Sequence, residues 1–236
     1  MIQVENLYKK FGKNQVLTGL DLHIKHGGIF AILGPNGSGK TTLIKAILGM
    51  VIPNKGTISV SGSAVKNKWK YRQEIAYLPQ IANFPGNLKV KELIRMIKDL
   101  RQKPSYENDL IGLFGLQPFL DKKLVTLSGG TKQKVNIVLA FMFDTPLLIL
   151  DEPTNGLDPE AVIHLKELIR KEKEKGKTIL VTSHIMHFVE EIADEVIYLL
   201  EGKIYFKGSA QELMTKTNQT DFEHAIAAIA KTKTDA

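Results

Sequence analysis

One run of residues announces chemistry before any fold is considered. Gly34-Pro35-Asn36-Gly37-Ser38-Gly39-Lys40-Thr41 satisfies the pattern G-x-x-x-x-G-K-[ST] at every fixed position. Glycines allow backbone conformations in which successive N–H groups turn toward one anion. A helix beginning at the end of the run adds its positive dipole end. In such a loop Lys40 reaches the β- and γ-phosphates of a nucleotide. The Thr41 hydroxyl ligates Mg²⁺, with Thr42 beside it.

A pair of acids follows much later. Leu147-Leu148-Ile149-Leu150-Asp151-Glu152 sets two carboxylates at the end of an apolar run. In open α/β sheets ligands sit at the carboxyl ends of strands, the edge where a phosphate loop also lies. Asp151 is placed to hold Mg²⁺, usually through water, and Glu152 to activate the attacking water as a general base. On their own these acids are equally a strand-ending turn before Pro153.

Leu127-Ser128-Gly129-Gly130-Thr131 offers a second anion site. Ser128 is a helix N-cap by type, and the two glycines after it leave N–H groups free at a dipole end.

These groups need elements to hold them. Ile29-Phe30-Ala31-Ile32-Leu33 predicts a strand buried on both faces, with a helix from Lys40 to Leu48 after the loop. Leu20, Leu22 and Ile24 alternate with polar residues, as do Ile58 and Val60, which predicts half-buried strands. From Val90 to Phe114 the spacing becomes helical, with Leu93, Ile94, Ile97 and Leu100 on one stripe. A helix from Ser128 to Phe143 follows, then a strand at Leu147–Leu150 and a helix at Pro159–Lys175. Strands at Thr178–Thr182, Val196–Leu200 and Lys203–Lys207 precede an amphipathic helix at Asp221–Lys231 carrying Phe222, Ile226 and Ile229. The pattern is an α/β core interrupted by a helical insert.

The Leu127–Thr131 segment resembles the signature sequence of ATP-binding cassette (ABC) proteins, usually Leu-Ser-Gly-Gly-Gln, with Thr131 in place of the glutamine. Further motifs come in that family's order. Tyr77-Leu78-Pro79-Gln80 is similar to its Q-loop, which implies that Gln80 lies near Mg²⁺ and the attacking water. Thr154-Asn155-Gly156-Leu157-Asp158-Pro159 looks like its D-loop, and Asp158 is also placed to cap the helix opened by Pro159. Thr182-Ser183-His184 matches the switch histidine that contacts the γ-phosphate. Lys9-Lys10-Phe11-Gly12 resembles the loop that stacks on adenine, through Phe11 first and Tyr8 second.

The resemblance spans about Ile2 to Gly208. It implies a P-loop NTPase (RecA-like) core with an antiparallel β subdomain and a helical insert subdomain. The 1–236 chain is then one ABC ATPase domain, with core about 1–84 and 141–208, insert about 85–140 and a helical tail about 209–236. It implies ATP and Mg²⁺ as ligands and a head-to-tail dimer, with itself or a homologue, in which Ser128, Gly129 and Gly130 close on the partner's ATP. It implies an integral membrane permease gripped near Ile81–Leu88, and a place on the cytoplasmic face of the inner or plasma membrane. Thr154–Pro159 and His184–Gly208 look most like exporter-class ATPases with a separate permease. A narrower resemblance is to the copper-maturation ATPases of nitrous oxide reductase. A non-transport cytosolic ABC ATPase, regulatory or acting on nucleic acid, is the alternative.

Composition narrows the rest. The chain has 43% hydrophobic and 24% charged residues, ordinary for a globular core, and no cysteine for disulfides or thiolate sites. The start lacks a signal-peptide pattern, and the longest apolar run, Ile137–Phe143, falls far short of the roughly 20 residues that span a bilayer. The net charge of +7 is scattered, and Lys166-Glu167 and Arg170–Lys175 suggest a solvated helix face, so nucleic acid is not an expected partner.

Overall fold

A computed structural model describes residues 1–81 and 83–231. Ala82, inside the Ile81–Leu88 stretch, and residues 232–236 of the C-terminal tail lie outside the described residues.

The chain opens with antiparallel strands β1 (Ile2–Phe11) and β2 (Asn14–Ile24). Leu20, Leu22 and Ile24 turn inward and Asp21 and His23 outward, as the period-two pattern predicts. β1 also pairs with β4 (Lys55–Val60), and β4 with the short β5 (Ser63–Ala64), giving a four-stranded sheet. The second sheet has six strands in the order β10-β9-β3-β8-β7-β6: β3 (Gly28–Leu33), β6 (Ile75–Leu78), β7 (Leu147–Asp151), β8 (Thr178–Thr182), β9 (Glu195–Leu200) and β10 (Lys203–Gly208). All its pairings are parallel except β9 with β10.

Both faces of this sheet are covered, so its central strands are continuous apolar runs rather than alternating ones. Phe30 and Ile32 pack with α1 (Lys40–Ile47) and the four-stranded sheet. Ile29, Ala31 and Leu33 pack on the other side with α4 (Gly129–Phe141), α5 (Pro159–Glu174) and α6 (Met186–Ile192). α7 (Ala210–Thr217) and α8 (Phe222–Lys231) lie on that same side, Phe222 and Ile226 buried and Ile229 half-buried as their spacing predicts. Strand order decides the site: β8 sits between β3 and β7, so the segments that leave all three converge at one edge.

Two expectations need correction. The stripe from Val90 to Phe114 is not one helix but α2 (Val90–Arg101) and α3 (Glu107–Leu113). Gln102 takes a left-handed conformation (φ 50°) and Pro104 follows, which bars helix continuation. Leu100 is 74% exposed because Arg101 takes the inward position, donating to the carbonyl of Ile75 at 2.9 Å and of Gln73 at 3.2 Å. Nor is the charged face of α5 simply solvated. Lys166 and Arg170 pair with Glu191 on α6, and Glu172 is buried against Lys177. β6, α6 and α7 had no strong periodic signal because each spans only one or two turns' worth of chain.

Candidate functional site

The loop between β3 and α1 is fixed by its glycines. Gly39 caps α1 in a left-handed conformation (φ 108°), and a Cβ there would stand 2.9 Å from Leu17 Cδ2. Ser38 is buried, its carbonyl accepting from Gly202 N–H at 3.1 Å, which ties the loop to the β9–β10 turn. Lys40 folds back and donates to the carbonyls of Gly34 (2.7 Å) and Pro35 (3.1 Å). Burial pulls its ammonium below the ordinary lysine value, while the charges of Glu152 and Asp151 push it back up.

Asp151 ends β7 directly opposite Thr182, which ends β8. The Thr182 hydroxyl donates to Asp151 Oδ1 at 2.5 Å and accepts from Glu152 N–H at 3.1 Å. Burial raises the Asp151 carboxyl above its ordinary value, against the hydroxyl bond and Lys40. The same burial, with the Asp151 charge nearby, lifts the Tyr77 phenol to about 12. Glu152 sits in the left-handed region (φ 51°), uncommon for a residue with a Cβ and worth about 1–3 kcal/mol of strain. That turn directs its carboxylate to His184, whose Nδ1 lies 2.8 Å from Glu152 Oε2. A carboxylate accepts, so the ring donates through Nδ1 and keeps Nε2 free for a second partner. His184 is 64% exposed, Glu152 buried beneath it.

Lys40, Asp151 and Glu152 face one cleft of about 310 Å³, which Thr182 and His184 do not line. Asn36, Gly37, Gly39, Lys40, Thr41 and Thr42 form its floor. Gln80, Asp151 and Glu152 form one wall, and Phe11 the far rim with Asn14 and Val16. Phe11 is half exposed, with the Lys9 ammonium 4.7 Å from its ring centre. Tyr8 turns toward Gly19 instead. Gly34, Pro35 and Ser38 belong to the loop but do not line the cleft; Ser38 is buried and Pro35 exposed.

Ser128, Gly129, Gly130 and Asp158 are not in this cleft. The Ser128 hydroxyl accepts from Thr131 N–H at 3.2 Å and meets the Thr131 hydroxyl at 2.9 Å, the N-cap its type predicts. Asp158 caps α5 through Ala161 N–H (2.9 Å) and pairs with Lys134 (2.6 Å). Gly130 has no room for a side chain, since a Cβ would stand 2.5 Å from the Gly156 carbonyl. So the start of α4 is pressed onto the loop that follows Glu152, leaving Ser128 and Gly129 exposed.

Three contributors escaped the sequence reading. Thr182 is one; its only signal is its place at the end of a buried strand. The others are buried on α4. Gln133 donates to the Pro153 carbonyl and Asn136 to the Pro79 carbonyl, each at 2.9 Å, so this helix holds the chain beside Glu152 and beside Gln80. Polar side chains amid the apolar Val135, Ile137 and Val138 were the available hint.

A second hollow, about 370 Å³ and mostly apolar, lies between the sheet and the insert, lined by Met50, Tyr77, Phe84, Ile97, Leu139 and Phe143. Among the described residues, no helix is long and apolar enough to cross a membrane.

A phosphate-cradling loop beside buried strand-end acids defines a P-loop ATPase. Comparison with known proteins says which kind. The family described as ABC transporter matches residues 17–155. "Nod factor export ATP-binding protein I" of Burkholderia orbicola (strain AU 1054) is 33% identical over 219 residues, covering 90% of this chain and 72% of that protein. "Probable amino-acid import ATP-binding protein YxeO" of Bacillus subtilis (strain 168) is 34% identical over 227 residues, covering 90% and 91%. A solved structure described as the ATP binding subunit of an ABC transporter superposes with a TM-score of 0.90 at 29% identity, covering 98% of this chain and 99% of the other. The chain belongs to the ABC transporter family, as one of its ATP-binding, ATP-hydrolysing subunits.

Proposed function

We propose that the cleft binds Mg-ATP and that Glu152 activates the water that cleaves it. The observation that carries this is the continuous chain Asp151–Thr182–Glu152–His184 beside Lys40 at one sheet edge. Phe11 stacks on the base, the loop N–H groups from Gly34 to Thr42 cradle the phosphates, and Lys40 exchanges its loop carbonyls for phosphate oxygens. Glu152 takes a proton from water as the water oxygen bonds to the γ-phosphorus and the bond to the bridging oxygen breaks, releasing ADP and phosphate. His184 holds the Glu152 carboxylate through Nδ1–H, and in the doubly protonated ring Nε2–H donates to the γ-phosphate. Gln80 orients the water.

The donor set suits Mg²⁺. Thr41, Asp151 and Gln80 offer a hydroxyl, a carboxylate and an amide oxygen, all hard donors. Among the described residues no cluster of three or more His, Cys, Asp or Glu forms a metal cage. Held by Thr41, Asp151 and Gln80, Mg²⁺ would supply charge neutralisation on the phosphates of ATP.

Ser128 and Gly129 are exposed and lie outside the chain's own cleft, which supports a head-to-tail dimer in which the Ser128–Gly130 turn meets the partner's γ-phosphate and Asp158 lies at the interface. The apolar hollow at Phe84 supports docking of a cytoplasmic helix from a separate permease, placing this subunit on the inner face of the membrane. The resemblance of Thr154–Pro159 and His184–Gly208 supports the exporter class with a separate permease. Core, insert and tail fall at about 1–84 with 141–208, 85–140 and 209–236.

The test is Glu152→Gln. ATP binding by calorimetry should persist while steady-state turnover falls by about two orders of magnitude or more. Turnover near wild type would remove Glu152 from the role.

A further inference from the structure

From Leu22 to Gln73 the chain contains no acidic residue. Three cations of its second half, Lys66, Lys68 and Arg72, border one hollow. Lys55, Lys66, Lys68, Lys70 and Arg72 are all exposed, and none of them lines the nucleotide cleft. Amid them stand three large apolar side chains that folding leaves in solvent: Ile52 at 75% exposure, Met50 at 61% and Trp69 at 60%. Val51, Ile52, Pro53 and Trp69 border a hollow of about 540 Å³, with Lys66 and Lys68 on its rim. Two carboxylates flank this stretch, Glu5 opposite Thr57 in the sheet and Glu74 two residues after Arg72. Glu5 already accepts from the Thr57 hydroxyl (3.0 Å) and the Gln3 amide (2.7 Å). Lys9 adds a further cation, its ammonium donating to the Ile52 carbonyl at 2.8 Å.

We infer that this face rests on anionic phospholipid headgroups. The charge is of one sign and carried mostly by lysine, whose flexible stems follow phosphates without fixed geometry. Ile52 and Trp69 border the hollow yet keep most of their surface in solvent, so they suit insertion at a headgroup boundary, where tryptophan is favoured. A peptide groove would hide its apolar lining instead. The face also adjoins the hollow assigned to the permease, since Arg72 borders both. The inference extends the reading that this subunit works against a bilayer. Its test needs neither permease nor turnover, so failure here would leave the ATPase and docking readings standing.

Trp69 is the only tryptophan in the chain, so its emission reports on this face alone. The purified protein is mixed with phosphatidylcholine vesicles containing about one-third phosphatidylglycerol. The emission of Trp69 should shift to the blue as protein floats with the vesicles, and about 0.5 M salt should reverse both. Vesicles of phosphatidylcholine alone should produce neither. The triple substitution Lys66→Glu, Lys68→Glu, Lys70→Glu should lower partitioning by about tenfold or more. Its ATPase activity should stay at the wild-type level, which shows that the fold is intact. The inference is overturned if anionic vesicles leave emission and flotation unchanged. Flotation without a Trp69 shift would place the contact on another face, and equal binding to uncharged vesicles would remove the basic residues from the cause; either result also overturns it.

Discussion

At the amino edge of the six-stranded sheet every buried charge has a partner supplied by the fold; at the carboxyl edge the same residue types are left short of partners. On the first edge, Lys177 is buried between Glu172 and Asp144, the latter at 2.7 Å, and Lys175 reaches Glu172 at 2.6 Å. Burial pulls the Lys177 ammonium down, but the two carboxylates hold it above its ordinary value. Asp194 accepts from Ile29 N–H at 2.8 Å and from Lys173 at 2.5 Å. On the second edge, Asp151 is as buried as Glu172, yet among the described residues its carboxylate receives only the Thr182 hydroxyl. Among the described residues the buried hydroxyls of Ser38 and Thr154 find no partner. Glu152 holds a backbone conformation that few side chains tolerate. One edge spends its charges on holding strands and helices together. The other keeps its hydrogen-bonding capacity for phosphate, metal and water, at some expense in stability.

Removing a charge should therefore have opposite consequences at the two edges. The largest effect belongs to Lys177→Ala, which strands Glu172 in a buried site with Lys175 alone. Urea unfolding should show a loss of about 3 kcal/mol. The ATPase activity of the folded fraction should be little changed, since Lys177 lies at the far end of β8. A loss below about 0.5 kcal/mol would class Lys177 with ordinary surface positions and dissolve the contrast.

Asn136→Ala probes the link between the edges and the insert. It leaves the Pro79 carbonyl without its donor, which should cost about 2 kcal/mol in urea. It also loosens Gln80, so kcat should fall by about tenfold while KM for ATP moves less. Lost stability with unchanged kcat would make Asn136 a packing residue only.

The chemical edge was far more legible in the sequence than the structural one. The phosphate loop and the Asp151–Glu152 pair are contiguous, and their backbone demands restrict residue type at fixed spacing, so the chain states them locally. The central strands were equally plain, because β3, β7 and β8 are apolar on both faces. Thr182 was not, since its meeting with Asp151 depends on β7 lying beside β8, a fact of strand order. Asn136 and Pro79 are 57 residues apart, beyond any local pattern. Glu172 looked like part of a solvated run because periodicity records which face a residue takes, not which lysine from the next strand covers it. Leu100 failed for the converse reason: it fits the stripe, but Arg101 has the backbone carbonyls within reach.

The smallest shift in stability bears most directly on the contrast itself. The folded protein raises the Asp151 carboxyl above its unfolded value, so the ionised form opposes folding. That opposition is absent below the unfolded value and sets in as pH rises through the raised one. Asp151→Asn keeps an acceptor for Thr182 and removes the charge. Melting temperatures of wild type and variant, with and without Mg-ATP, give the measurement. Without nucleotide at about pH 7, the account predicts that the variant melts about 2–4 °C higher, the shift expected for roughly 1 kcal/mol in a chain of this size. The gap should close as pH falls through the carboxylate range, and Mg-ATP should stabilise wild type but not the variant. A variant that melts below wild type without nucleotide, or gains as much from Mg-ATP, would mean that Asp151 is a structural group like Glu172.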